Sequence, residues 1–207
     1  MHFRILDRFQ QWWKTRRGQA RNLEVRAEDL AEGAEHDLLF LQQHRFVSAR
    51  ATGQSILQIQ AEIQNLLARR LQVVIQPGTY FVAQGNSQNM VTRVRQTVTL
   101  HPSSTARITL DAACINASLP IPGDQDRFDG VRRVSADLAR FLEASQNAHP
   151  MTVQAGVWAL TDRYSAAQIR SHLIWVDSGG NRHQAVSEQN VAEARRILQE
   201  LNIKSRL

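Results

Sequence analysis

The sequence predicts an α+β protein: an antiparallel, immunoglobulin-like β-sandwich with N-terminal helices and a C-terminal helical subdomain. Three observations carry this expectation. Between Phe46 and Ala117 apolar and polar residues alternate in several short runs, which is the period of a half-buried strand. Turn-forming residues separate those runs, notably Pro77-Gly78, Gly85-Asn86-Ser87 and His101-Pro102-Ser103. Outside the block, apolar residues recur three and four apart, the spacing of one helix face. Strands followed by helices make an α+β order.

The elements follow in chain order. Phe3, Leu6, Phe9 and Trp13 share a helical stripe with Arg4, Arg8, Lys14 and Arg16 between them, and Gly18 ends that helix. A second helix is expected from about Ala27 to His44, its acids gathered in the first half, at the positive end of the helix dipole. These two form an N-terminal segment, residues 1–45. The sandwich, residues 46–122, contains Ile56–Ile63, Leu71–Ile75, Thr79–Ala83, Val91–Leu100 and Ala106–Ile115. Pro120-Ile121-Pro122-Gly123 marks its exit, because each proline removes a ladder donor.

Residues 123–207 read as mostly helical. Val134, Leu138, Phe141 and Leu142 make one stripe, with Asp129 capping it, and Val153–Leu160 begins another helix. Ser165 is placed to cap a helix from Ala166 to Leu173. Leu173–Val176 then meets Asp177-Ser178-Gly179-Gly180-Asn181, a hairpin turn. Val191, Ala194, Ile197, Leu198 and Leu201 define a last helix beginning at Ser187.

Charge and composition bound the function. The net charge is +6, but it is segregated: residues 1–26 carry seven basic side chains against Asp7 and Glu24, and residues 27–45 carry five acids against Arg45. The two segments nearly cancel, which weakens the case for nucleic acid that the overall charge alone would make. With one cysteine, Cys114, no intrachain disulfide forms. No run of about 18 apolar residues occurs, so no transmembrane segment is expected. The N-terminus lacks the apolar core of a signal peptide, and the expected location is cytoplasmic.

Catalytic signatures are missing: there is no Gly-x-Ser-x-Gly, no His-Glu-x-x-His and no phosphate-cradling glycine loop. Cys114 sits in an apolar run and reads as a small core hydrophobe. Asp124, Asp126 and Asp129 are the nearest approach to a cation loop. Their spacing is off by one residue and no distal glutamate follows, so no metal and no cofactor are expected.

The expected function is therefore a non-catalytic interaction module binding another protein. Its contact residues would be Phe9, Trp12, Trp13, Lys14, Arg16 and Arg17 on the amphipathic helix, with Tyr80 and Asn86 at the sandwich loops. The alternative is an enzyme of unrecognised type, such as a hydrolase, with its site between sandwich and helices. A third reading places residues 1–17 on a membrane surface or on nucleic acid.

Overall fold

The computed structural model describes residues 25–207. The amphipathic helix expected to carry Phe9, Trp12, Trp13, Lys14, Arg16 and Arg17 falls outside the described residues. The chain forms two compact units, Met1–Ala31 and Glu32–Leu207. In the first, the described part holds a single 3-10 turn, Ala27–Asp29, whose Asp29 carboxylate accepts the Arg26 N–H at 2.8 Å.

The second unit is α+β with strands predominating. Strand β1 (Glu35–Asp37) leads into helix α1 (Leu38–Gln43), followed by β2 (Val47–Ser55), β3 (Gln58–Asn65), β4 (Leu71–Ile75) and β5 (Thr79–Ala83). Next come β6 (Asn89–Thr92), β7 (Gln96–Leu100), β8 (Thr105–Ile115) and β9 (Arg127–Arg133). The C-terminal part contains α2 (Ala136–Ala144), α3 (Pro150–Thr161), α4 (Ala166–His172), the hairpin β10 (Ile174–Val176) and β11 (Arg182–Gln184), and α5 (Glu188–Glu200).

Six strands close on themselves in the order β2-β3-β8-β6-β5-β9, and β1-β4-β7 form a separate three-stranded sheet. The immunoglobulin-like sandwich expected from the alternation is thus replaced by a closed barrel beside a small sheet. The closing strand is β9, which pairs with β2 on one side and β5 on the other. The Pro120–Gly123 segment is a detour, not an exit, and the barrel continues to Arg133. Asp129 and Gly130, expected to start a helix, lie inside β9. Gly130 has φ 75, where the register against β5 also shifts between Phe81 and Ala83. That left-handed residue makes the strand unrecognisable from its pattern.

The helix expected over Ala27–His44 is likewise shorter. Gly33, at φ 73, interrupts it. Asp37 then acts as N-cap, its Oδ1 accepting the N–H groups of Leu39 (2.9 Å) and Phe40 (3.4 Å), so α1 starts only at Leu38. Asp37 Oδ2 also accepts from Arg133 Nη2 at 2.6 Å, tying α1 to the closing strand. The Ser165 and Ser187 caps are borne out, each in a capping box, with Gln168 and Asn190 as reciprocal partners. The hairpin after Leu173 is present as β10–β11.

Alternation decides which side chains fill the barrel. Ala49, Ala51, Ile59, Ala61, Ile63, Leu110, Ala112 and Cys114 share one face through their registers and are buried. Small residues on β2 face larger ones on β3 and β9, as in the Ala49↔Ile63 and Ala51↔Phe128 pairs. That mixture suits a narrow barrel whose interior is packed, leaving no channel.

Candidate functional site

The outer barrel face divides in two. Toward the C-terminal end of β8, Ala113 and Ile115 point outward yet are buried, because α3 packs there. On β9, β2, β3 and the part of β8 from Thr105 to Asp111, the outward positions that pair across these strands are polar. The registers line these side chains up in rows across four strands. Asp129, Arg50, Glu62 and Arg107 make one row, and Arg127, Thr52, Gln60 and Thr109 the next. Ser48 and Gln64 extend a third, with a hydroxyl-to-amide hydrogen bond of 3.4 Å. All of these but Thr109 line a groove of about 820 Å³.

Electrostatics organise the central row. Glu62 Oε1 accepts from Arg50, with the Nε contact at 2.8 Å, and Oε2 accepts from Arg107 Nε at 2.9 Å. These two guanidiniums hold the Glu62 carboxyl below the usual carboxylate range. Both arginine side chains stay about three-quarters exposed (74% and 76%), so most of their donors still face solvent. Among the described residues Arg127 makes no ion pair or hydrogen bond through its side chain.

A second constellation joins barrel and helices. The Gln154 side chain, fully buried on α3, accepts the Cys114 N–H through Oε1 (2.9 Å) and donates through Nε2 to the Cys114 carbonyl (2.8 Å). Strand β3 stops pairing with β8 at Asp111, and the amide supplies the partner the next strand would have given. Nearby, the Ala117 N–H donates to Asp162 Oδ1 (2.9 Å), and His172 Nε2 donates to the Ala117 carbonyl (2.5 Å). Burial pushes the Cys114 thiol up to about 12, so it is protonated at neutral pH; its sulfur lies 3.3 Å from Met90 Sδ.

The third feature is the β10–β11 hairpin. Trp175 is 52% exposed and Val176 59% exposed. The indole stacks on the His183 ring, centroids 4.4 Å apart and planes 21° from parallel. His183 Nε2 donates to Asp177 Oδ2 at 2.8 Å, while Asp177 Oδ1 accepts the N–H groups of Gly179 and Asn181, both at 2.9 Å. The His183 hydrogen bond is the main cause that holds the Asp177 carboxyl down to about 2, with Asn181 adding to it. A carboxyl lowered in the folded state stabilises the fold above its unfolded value of about 3.9, and the contribution fades as pH falls through about 2. Carbon-detected NMR should therefore place the Asp177 midpoint near 2. In His183→Phe it should move toward the ordinary value; an unmoved midpoint would refute the assignment.

Of the residues singled out from sequence, Asn86 is exposed at a turn and Tyr80 is half-buried on β5. Asp124, Asp126 and Asp129 are not drawn together. Asp126 Oδ2 accepts the Gly123 N–H at 2.8 Å, and Asp129 lies across the ladder from Arg50. Among the described residues no group of three or more metal-binding side chains gathers. No protein family, curated protein or solved structure compared with this chain matches it. No helix in the described residues is long and apolar enough to cross a membrane. Sequence reasoning passed over Gln154, although a glutamine in the apolar Val153–Leu160 run was a signal that a buried polar group needed a partner.

Proposed function

We propose that this chain is a non-catalytic interaction module that binds another protein. The observation that supports it is the exposed, pre-organised indole of Trp175. Leaving a tryptophan in water costs burial energy, and here a relay of hydrogen bonds from the turn through Asp177 and His183 fixes it in place. A rigid exposed aromatic beside Val176 matches the anchors that dominate protein interfaces, because little rotamer entropy is lost on docking. On sequence grounds the segment from Phe9 to Arg17 offers a second contact, and the Tyr80 to Asn86 turn a third.

The test uses the full chain as bait in an extract of its own host, with crosslinked partners identified by mass spectrometry. The partner should be recovered by the parent protein and its affinity lowered at least tenfold in Trp175→Ala, whose stability should stay within about 0.5 kcal/mol of the parent. Equal affinity of parent and variant for that partner would overturn the hairpin as the contact.

A further inference from the structure

We propose that the outer face of β9-β2-β3-β8 is a binding site for an acidic polysaccharide, read through its carboxylates. This inference is independent of the hairpin. It begins from a mismatch of donors and acceptors. Three guanidiniums, Arg50, Arg107 and Arg127, face the groove against two carboxylates, Glu62 and Asp129. Both Glu62 oxygens are already occupied, and Gln84 Nε2 reaches Asp129 at 3.5 Å. The face thus carries more guanidinium than carboxylate charge, and its solvent-facing donors can exchange water for an anionic acceptor.

Glu62 shows what the site accepts. It is a carboxylate held between two arginines, each still mostly exposed. Guanidinium N–H groups form a planar fork that matches a carboxylate in two parallel bonds, and the donors left over on Arg50 and Arg107 present that geometry outward. Arg127 stands one row along on β9, free to take a second anionic group.

The flanking residues favour a sugar chain as the carrier of those anions. Gln60 spends its Oε1 on Gln54 (3.1 Å) and Thr109 (3.3 Å), and Gln64 its Oε1 on Ser48. Neither amide nitrogen donates to a described residue, so both suit hydroxyl acceptors. The apolar residues at the groove, Ala49, Ala51 and Phe128, point into the barrel and are buried. A single-stranded nucleic acid would find no aromatic platform for its bases here, and a peptide no pocket for an apolar anchor. Four strands at about 4.8 Å spacing make the groove roughly 14 Å across, enough for two or three linked rings.

Titration calorimetry with polygalacturonate, on the full chain, tests this. Binding should be measurable, should weaken as salt rises, and should fall about tenfold in Arg107→Gln and in Arg127→Gln. Arg127→Gln removes no internal bond, so its thermal stability should match the parent and separate loss of binding from loss of fold. Arg182→Gln, on the hairpin, should bind like the parent. The fully methyl-esterified polymer, which keeps the rings and loses the charge, should not bind. The proposal is overturned by absence of binding into the millimolar range or by parent-like binding in Arg127→Gln. Equal binding of the esterified chain, or of dextran sulfate or duplex DNA at the same salt, also overturns it, because the face would then read no carboxylate.

Discussion

Gly156→Ala should destabilise the protein by about 3 kcal/mol, near the upper end for overpacking of a closed core. Gly156 lies on α3, the helix whose residues from Thr152 to Ala159 are all buried. A Cβ built there would fall 2.0, 2.4 and 2.7 Å from three carbons of the Phe141 ring. Phe141 is itself fully buried on α2, so neither the ring nor the helix has free space to move into. The clash overwhelms the helix propensity that alanine would add, which is at most about 1 kcal/mol. For a chain of this size the melting temperature should drop by roughly 10 °C. Combining the change with Phe141→Leu should recover part of the loss, giving a favourable coupling of about 1 kcal/mol or more in a double-mutant cycle. A Gly156→Ala protein that melts with the parent would show that α2 and α3 do not pack as described.

Gln154→Leu is expected to be nearly as costly, for a different reason. Leucine fills similar space but leaves the Cys114 N–H and carbonyl buried without partners, and each such group costs about 1–3 kcal/mol. The sum is about 3 kcal/mol or more, read as a lower urea midpoint. Gln154→Glu should fare no better. It keeps an acceptor for the N–H, loses the donor to the carbonyl, and asks a carboxylate to sit where no described cation answers it. Hydrogen exchange gives a local readout: the Cys114 amide should be protected in the parent and lose protection in Gln154→Leu beyond what global destabilisation explains. Unchanged relative protection would mean that the amide clamp does not close the strand end.

The alternation of β3 and β8 and the caps at Ser165 and Ser187 were legible because they are local: each is a pattern of neighbours in the chain. Barrel closure was not, since it depends on β9, whose residues Arg127 to Arg133 include only Phe128 and Val131 as apolar members. With a left-handed Gly130 between them, the segment resembles a turn feeding a helix. The acids from Glu28 to Asp37 misled in the opposite direction. They suit the start of one long helix, but Asp29 caps only the 3-10 turn and Asp37 only the short α1. The polar ladder was half visible, as the outward positions of each strand. Arg50 meets Glu62 across a local hairpin, 12 positions apart, but Arg107 reaches the same carboxylate from 45 positions away, a pairing no local pattern announces.

That closure also sets a timetable. Arg50 lies opposite Asp129, 79 positions later in the chain. At a synthesis rate of about 5–20 residues per second, β2 waits roughly 4–16 s for its second neighbour. Until then its open edge is a template onto which another nascent chain can add a strand. The outward Ser48, Arg50 and Thr52 make that edge polar and charged, which discourages such pairing. The row of charges thus guards the chain during its own birth, before there is a barrel for it to decorate.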